Sequence, residues 1–406
     1  MKRKYDAIVI GAGIIGSSIT YHLIEEGFNG EILVIDKNEA IAEGNTALSA
    51  GAFRNIWGTQ INIKMTNYSI EVFKKFHEEF GISIGMHQHG YLFTFYKEIW
   101  DEVVKHRDLW ESSGVRIEFL DPLLIEKKVP GIKTSVKNID PEIVEFLEIK
   151  DIVGGLFGLD CGSFDPTAVA KGYFNKAKEN RNVKIELKKE VKRIVIEGGK
   201  SKGVELTDGT RIDSDIVILA TGAWSRDILE KSGIDEKNNI PVYPVKRMLF
   251  ITNLPPIEGF NSIPLTIIDK GIYFKVETGN LMIGRAKKEQ KPGFDMEPEL
   301  KYYTDEINVY MQERIPGTEY CQIKSMWGGL YANTIPDHNA IIGLHPDIKA
   351  LFICTGFSGH GAMTAPAVGK GLAELLVKGR YETIDLSPLR YERFREEKLI
   401  VESIVI

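Results

Sequence analysis

The chain has 406 residues, with 51 Lys and Arg against 57 Asp and Glu and a formal net charge of −6. Its 43% hydrophobic and 27% charged residues are typical of a soluble globular protein and exclude a disordered or fibrous chain. The mild acidity argues against nucleic-acid binding, which favours a basic surface. No apolar run approaches the roughly 18 residues of a membrane span. At roughly 100–200 residues per domain, the length predicts two domains.

The cysteines and the N-terminus bear on the cellular compartment. Cys161, Cys321 and Cys354 are odd in number and lie far apart, so they predict neither a disulfide framework nor a metal site. The basic and then apolar N-terminus resembles a secretion signal, but Asp6 interrupts the apolar run and a glycine motif follows it. We therefore expect a cytoplasmic protein with reduced thiols, whose first strand begins near the N-terminus.

The first predicted elements form a βαβ unit. An apolar strand over 5–10 leads through a glycine turn into a helix over 17–26, and a second apolar strand follows over 31–36. This order predicts a parallel sheet with helices on its faces.

Later elements follow from apolar periodicity and turn signals. Between 183 and 220 the pattern predicts consecutive short strands, with a hairpin turn at Asp208 and Gly209. The remaining predictions are helices over 62–80, 98–113, 166–179, 299–315 and 365–377, and strands over 90–95, 242–251, 271–284 (a hairpin) and 351–355.

The turn after the first strand has the pattern G-x-G-x-x-G. Gly11 permits the tight turn, Gly13 lets a pyrophosphate approach the backbone, and Gly16 lets helix and strand pack closely. The helix N-terminus offers N–H groups to the phosphates. Asp36 follows Gly16 by 20 residues, where a carboxylate binds an adenosine ribose and disfavours NADP. The motif predicts a dinucleotide site and leaves NAD and FAD open.

Three further segments are rich in small residues, which allow a planar ligand to approach the backbone closely. They are 44–51 (GNTALSAG), 220–225 (ATGAWS) after an apolar strand, and 356–361 (GFSGHG) before a predicted helix. Amides of the last segment are suited to stabilise negative charge.

Taken together, these segments carry a resemblance to a known family. The matching residues are GAGIIG with Asp36, LSAGAFR (48–54), ATGAWS, WGGLYANTIPDHNAIIG (327–343) and GFSGHGAMTAPAVGKGLAELL (356–376). The chain resembles the FAD-dependent D-amino-acid oxidase superfamily, in the branch of sarcosine oxidase, glycine oxidase, and the dimethylglycine and proline dehydrogenases. The resemblance extends over nearly the whole chain.

The resemblance implies an α/β fold with a discontinuous, Rossmann-like FAD-binding domain over 1–85, 150–240 and 326–406. A second, mainly antiparallel-sheet substrate domain is expected over 86–149 and 241–325. The candidate cofactor-binding residues are Gly11, Gly13, Ile14, Ile15, Gly16, Asp36, Lys37, Asn45, Thr46, Ser49, Ala50, Gly51, Val191, Ala220, Thr221, Gly222, Trp224, Gly356, Gly359, His360 and Gly361.

The chemistry that the resemblance implies is hydride removal from the carbon bearing an amine, delivered to flavin N5, followed by hydrolysis of the imine. Arg54 stands where sarcosine oxidases place an arginine for the substrate carboxylate, although a surface arginine is the alternative. His360 is a candidate to tune the flavin or contact substrate, or else to hold its loop. Tyr273 is a weaker candidate, as a wall of the substrate site or part of the lid core.

Departures from the family pattern refine this expectation. Leu48 or Ser49, and Leu330, stand where relatives attach flavin covalently, so we expect noncovalent FAD. Met282 stands at the oxygen-activating lysine of monomeric sarcosine oxidase, and a missing positive charge disfavours reaction with oxygen. We therefore expect a dehydrogenase that passes electrons to a dye, quinone or protein, unless Lys275 takes the missing role.

Two alternatives stay open at this point. A hydroxy-acid or glycerol-phosphate oxidoreductase would need basic residues in the lid, and Lys246, Arg247 and Lys275 supply candidates. An FAD-containing subunit that acts mainly in assembly is suggested by the apolar tail 399–406, since exposed apolar segments can mark interfaces with partner subunits or a second copy.

Overall fold

The computed structural model describes residues 4–402 and 404. Its strands form two large sheets and one short pair. The strands are β1 (Lys4–Ile10), β2 (Ile32–Ile35), β3 (Ala52–Phe53), β4 (Tyr91–Phe95), β5 (Ile117–Leu120), β6 (Gly154–Gly158), β7 (Gly162–Ser163), β8 (Val183–Glu186), β9 (Val191–Glu197), β10 (Lys200–Leu206), β11 (Arg211–Leu219), β12 (Val242–Thr252), β13 (Leu265–Ile268), β14 (Ile272–Glu277), β15 (Asn280–Arg285), β16 (Ile323–Thr334), β17 (Ile341–Leu344) and β18 (Leu351–Thr355).

The α-helices are α1 (Ile14–Glu25), α2 (Gln60–Phe80), α3 (Lys97–Val103), α4 (Arg107–Ser112), α5 (Pro122–Lys128), α6 (Pro141–Leu147), α7 (Pro166–Ala177), α8 (Ser225–Lys231), α9 (Leu300–Tyr302), α10 (Asn308–Arg314) and α11 (Gly361–Lys378).

The first large sheet, called the parallel sheet here, has the order β17-β18-β11-β1-β2-β8. From β18 to β8 all neighbours are parallel, and β10 and β9 extend it antiparallel from β11. Its central strands β1, β2 and β18 are largely buried, as expected when helices cover a parallel sheet. Val9 of β1 shares an apolar cluster with Ile19 of α1 and Val368 of α11. The predicted Rossmann-like unit is therefore confirmed.

The second large sheet, called the roof sheet here, has the order β16-β12-β15-β14-β13-β4-β6-β5. Only the β13–β4 pair is parallel, so the predicted second sheet is mainly antiparallel, as expected. Side chains alternate along β12: Met248 and Phe250 enter one apolar core with Phe274, while Arg247 and Leu249 face the parallel sheet.

Several boundaries differ from the sequence predictions. The last long helix, α11, begins at Gly361, whereas the sequence predicted a start at 365. Glycine has a low helix propensity, so the glycines before 365 favoured a loop in the prediction. The helix predicted over 299–315 is interrupted by a π-helical turn over Tyr303–Ile307. The roof sheet includes β6 and β16, which extend beyond the expected substrate-domain limits at 149 and 325. The division into two domains stays a prediction.

Cys161 and Cys354 are buried free thiols. Among the described residues, no helix is long and apolar enough to cross a membrane. Nor does that part of the chain contain a cluster of His, Cys, Asp and Glu suited to a metal ion.

Candidate active site

A long cavity of about 320 Å³ lies between the carboxyl ends of the parallel strands and the roof sheet. Ligands bind at this end of the strands in open α/β sheets. Most of the predicted site residues line it. They are Gly11, Gly13, Ile14, Ile15, Asp36, Lys37, Asn45, Thr46, Ser49, Ala50, Arg54, Val191, Ala220, Thr221, Gly222, Trp224, Tyr273, Gly359, His360 and Gly361.

Four predicted site residues do not line the cavity. Gly16, Gly51 and Gly356 instead lie where a Cβ would collide with neighbouring protein atoms, so their role here is close packing. Lys275 shares a face of β14 with Tyr273, but its buried amine pairs with Glu277 at 2.6 Å.

The turn after β1 brings the backbone close to the strand beside it. Gly11 has φ +109°, and a Cβ there would lie 2.4 Å from the Ala220 carbonyl oxygen. Only glycine meets both demands. The Ala12 N–H donates to Asp36 Oδ2 at 2.6 Å, which ties the turn to the end of β2. The amides at the start of α1 therefore border the cavity beside the Asp36 carboxylate.

Segment 44–51 connects this turn to the roof sheet. The Ile14 N–H donates to Thr46 Oγ1 at 3.1 Å. The Leu330 N–H donates to Asn45 Oδ1 at 2.9 Å. These bonds explain why small and polar residues recur in the segment: it fills the space between helix α1 and strand β16.

Segments 220–225 and 356–361 are joined through hydroxyl groups. Thr355 Oγ1 at the end of β18 donates to the Gly222 carbonyl oxygen at 2.9 Å, and Ser225 Oγ donates to Thr355 Oγ1 at 2.9 Å. Thr334 Oγ1 of β16 donates to the Gly356 carbonyl oxygen at 2.6 Å. The three segments that are far apart in sequence thus meet around one cavity.

One end of the cavity is polar. Asp36, Lys37 and Asp227 line it there, and the Lys37 amine lies 3.9 Å from the centre of the Trp224 ring. A carboxylate at the end of β2 and an indole beside it suit an adenosine group.

The other end, called the roof chamber here, is bordered by Tyr91, Tyr273, Tyr331, Arg247 and Leu249 from the roof sheet. Burial raises the pKa of all three phenols, so they remain protonated hydrogen-bond donors at neutral pH. The chamber therefore offers neutral phenols and positive charge.

His360 lies at the start of α11, below the roof chamber. Its ring meets the Trp57 ring edge-on, with 4.3 Å between centroids. Burial lowers the pKa of His360 well below its usual range, and the nearby Arg54 charge lowers it further. The imidazole is therefore neutral at physiological pH.

Arg54 is 2% exposed and follows the short strand β3. Its Nη1 donates to the Ile56 carbonyl oxygen at 2.6 Å and its Nη2 to the Ile404 carbonyl oxygen at 2.5 Å. The guanidinium carbon lies 3.6 Å from the centre of a Trp57 ring. Burial lowers the pKa of Arg54, but an arginine still keeps its charge at neutral pH.

Arg247 and two of the tyrosines were not among the predicted site residues. Arg247 appeared only in the phosphate alternative, and Tyr91 and Tyr331 were not selected at all. Period-two alternation in PVKRMLFI separates Arg247 from Lys246, but the sequence does not indicate which face meets the cavity. In the structure the Lys246 amine instead pairs with Asp295 at 2.7 Å.

The residues present fit a flavin dinucleotide. The glycine turn and the α1 N-terminus suit a pyrophosphate, and Asp36 suits a ribose. The second N-terminus, at Gly361 of α11, borders the same cavity and suits a group that gains negative charge.

Comparisons with known proteins agree with this fit. A family model described as FAD dependent oxidoreductase (DAO) matches residues 6–375. FAD-dependent oxidoreductase domain-containing protein 1 of Xenopus laevis is 26% identical over 440 residues, covering 99% of this chain and 85% of that protein. The solved L-proline dehydrogenase from P. horikoshii is 30% identical, with a TM-score of 0.84 and coverage of 98% and 100%. Glycine oxidase from Bacillus cereus, 22% identical with a TM-score of 0.73 over 93% and 96%, shares the fold.

Proposed function

The chain belongs to the DAO family of FAD-dependent oxidoreductases, and from this premise we propose that it oxidises the C–N bond of a small amino acid or secondary amine. L-proline is the first substrate to test, with sarcosine and D-amino acids next. The 30% identity to a protein described as L-proline dehydrogenase supports this order.

The observation that carries the proposal is the composition of the roof chamber. Arg247 borders it, and Arg54 lies beside it, with its guanidinium carbon 5.9 Å from the centre of the Tyr91 ring. The phenols of Tyr91, Tyr273 and Tyr331 add neutral groups around these two positive charges. Such an environment favours a ligand that carries a carboxylate over a simple alkylamine.

When bound, FAD supplies the two-electron acceptor for the reaction. The chain's own residues bind and orient. The amides of the α1 N-terminus would hold the pyrophosphate, and Asp36 would hold the ribose. The neutral imidazole of His360 and the N-terminus of α11 border the reacting end. The substrate amine reacts as its free base, so the tyrosines only hold the substrate and exclude water.

We also propose that FAD is held noncovalently. Leu48, Ser49 and Leu330 line the cavity at the positions where relatives attach flavin, and none of these side chains carries the imidazole or thiol through which that bond is made.

Electron transfer to a dye, quinone or protein acceptor is favoured over oxygen. Lys275 pairs with Glu277 outside the cavity lining, and Met282 beside it in the sheet carries no charge. The neutral His360 adds no positive charge either. Arg54 and Arg247 remain charged, but Arg54 already donates to two main-chain carbonyl oxygens, and a substrate carboxylate in the chamber would offset the remaining charge.

The alternatives receive less support. Of the three basic residues that would suit a phosphate, only Arg247 lines the cavity. In the tail, Leu399 and Val401 are exposed, which is compatible with a partner surface, whereas Ile404 packs against the chain's own core. Ser403, Val405 and Ile406, also part of that prediction, lie outside the described residues.

Steady-state assays test the proposal. The FAD-loaded protein is given L-proline, sarcosine, D-alanine, lactate and glycerol 3-phosphate in parallel, and dye reduction and hydrogen peroxide are both measured. We expect dye reduction with an amine-bearing substrate and peroxide formation at least about tenfold slower. Peroxide formation at the rate of substrate turnover would contradict the dehydrogenase assignment, and activity with lactate or glycerol 3-phosphate alone would contradict C–N oxidation.

A further inference from the structure

The roof chamber contains two arginines whose guanidinium groups are engaged to different extents. A carboxylate binds best to two parallel N–H donors of one guanidinium. The contacts of Arg54 and Arg247 therefore indicate which of them has such a pair of donors available.

Arg54 is held by the protein itself. Both terminal nitrogens already donate to main-chain carbonyl oxygens, those of Ile56 and Ile404, and the guanidinium stacks on Trp57. A carboxylate that bound across Nη1 and Nη2 would compete with both of these bonds. Arg54 thus connects the chain after β3 to the C-terminal segment through hydrogen bonds to main-chain carbonyl oxygens.

Arg247 is only partly engaged. Its Nη1 donates to the carbonyl oxygen of the preceding residue, Lys246, at 3.1 Å. Its Nε is buried and has no hydrogen-bond partner among the described residues. A buried donor without an acceptor is unfavourable, and a ligand that offers an oxygen atom here would satisfy it. The edge of the guanidinium that carries Nε is available for a second acceptor.

The ring of Tyr331 lies beside the guanidinium of Arg247. Its guanidinium carbon lies 4.9 Å from the centre of the Tyr331 ring. That ring in turn occupies the space over Gly359, where a Cβ would come within 2.4 Å of it. Strand alternation directs Lys246 to the opposite face of β12, toward Asp295. The chamber side of β12 therefore carries the guanidinium of Arg247, beside the Tyr331 ring, and not the amine of Lys246.

We propose that Arg247, rather than Arg54, binds the carboxylate of the substrate, and that Arg54 is a positioning residue that holds the C-terminal segment and Trp57 against the chamber. This inference rests on the proposed function, because it assigns one group of the proposed substrate to one side chain.

Binding of unreactive ligands tests the assignment without turnover. Pyrrole-2-carboxylate and pyrrole differ by the carboxylate alone, and neither has a saturated carbon that can be oxidised beside nitrogen. Each is titrated by calorimetry into the FAD-loaded wild type and into Arg247→Gln, Arg247→Lys, Arg54→Gln and Lys246→Gln. Flavin content and the unfolding midpoint verify that each variant is folded.

We expect Arg247→Gln to weaken pyrrole-2-carboxylate at least about 30-fold, as for loss of a buried charge pair, and to change pyrrole less than about threefold. Arg247→Lys should recover part of the affinity, since lysine keeps the charge but not the paired donors. Arg54→Gln should change the affinities for the two ligands by the same factor, because it displaces Trp57 and the C-terminal segment but removes no contact to the carboxylate. Lys246→Gln, the matched control on the opposite face, should change neither.

A carboxylate-selective loss in Arg54→Gln but not in Arg247→Gln would overturn the assignment, as would failure of the wild type to bind pyrrole-2-carboxylate. The proposed function can fail separately. If binding depends on Arg247 but no amine reduces the flavin, the carboxylate site stands and the proposed oxidation does not.

Discussion

At the residue scale, burial sets the charge of the side chains around the roof chamber. It keeps three phenols protonated and the imidazole of His360 neutral, while the arginines keep their charge. The binding properties of the chamber then depend on how two guanidinium groups are held. The position of Arg247 in turn depends on Gly359, because only a residue without a side chain leaves room there for the Tyr331 ring beside the guanidinium.

Gly359 provides the clearest test of this dependence. It has φ +94°, and a Cβ would lie 2.4 Å from the Tyr331 ring. Gly359→Ala should therefore displace the ring that supports Arg247, weaken pyrrole-2-carboxylate binding and lower the free energy of unfolding. The overpacking cost is about 1–3 kcal/mol beyond that of the left-handed backbone. Denaturant unfolding and calorimetry measure both effects.

Gly379 supplies the matched control. It also has a positive φ, +74°, but nothing lies within 4 Å of a Cβ there. Gly379→Ala should show only the backbone cost of about 1–2 kcal/mol and normal ligand binding. Equal losses of stability in the two variants, with unchanged binding in both, would contradict the role given to Gly359.

At the scale of elements, the C-terminal segment is hydrogen-bonded to the N-terminal end of helix α2 (Gln60–Phe80). Glu402 is buried, and its carboxylate accepts from the Gly58 N–H at 2.7 Å, Thr59 Oγ1 at 2.8 Å and Asn62 Nδ2 at 3.0 Å. These bonds bring a buried negative charge to the N-terminus of α2, where the helix dipole interacts with it favourably.

We predict that Glu402→Ala lowers the free energy of unfolding by about 2–3 kcal/mol, because charge-assisted hydrogen bonds are lost and buried donors remain. Urea unfolding of the FAD-free protein measures it. The exposed Glu289→Ala is the control and should stay within about 0.5 kcal/mol of the wild type. A Glu402→Ala variant as stable as the control would show that the tail does not fasten α2.

Helix α1 carries a buried histidine, in ring contact with Tyr173 of α7, that makes stability depend on pH. His22 is 6% exposed, its Nδ1 lies 2.7 Å from the Ser18 carbonyl oxygen, and burial lowers its pKa to about 4. The nearby charges are Lys370, Glu26 and Glu374. Near pH 5 the unfolded chain binds a proton there that the folded chain does not.

The free energy of unfolding should therefore fall as pH drops from about 6.5 to about 4. His22 accounts for roughly 3 kcal/mol of that loss. His22→Gln keeps a donor for the Ser18 carbonyl and should reduce the dependence by that amount, leaving the part due to His89, His345 and His360, whose pKa values burial also lowers. His77→Gln, at an exposed site on α2, should leave the dependence unchanged. Identical pH profiles for wild type and His22→Gln would refute this account.

At the scale of the whole molecule, local sequence patterns predicted those parts of the cavity that are each formed by a short stretch of chain. The G-x-G-x-x-G turn, Asp36 and the small-residue segments each follow directly from neighbouring residues, and all of these segments contribute to the cavity. The role of Arg247 could not be predicted in this way. Its exposure to the cavity depends on the pairing of β12 with β16, in which Arg247 lies opposite Gly329. The bond from Arg54 to Ile404 spans 350 positions and has no local signal.

Lys275 is a residue that the sequence selected for the site but that the structure places outside the cavity lining. Its alternation with Tyr273 correctly indicates the cavity face of β14, but its position two residues further along places its amine against Glu277. Periodicity predicts a face and not a distance along the strand. The overall architecture was thus accessible from the sequence, whereas the contacts that select a substrate required the assembled sheets.

Anaerobic titration of the FAD-loaded protein with L-proline and the other amines tests the central claim most directly. The account predicts that the oxidised flavin absorbance is lost with one equivalent of substrate per flavin, in the absence of any external acceptor. A flavin that stays oxidised with every amine and amino acid, and is reduced by hydroxy acids alone, would contradict it.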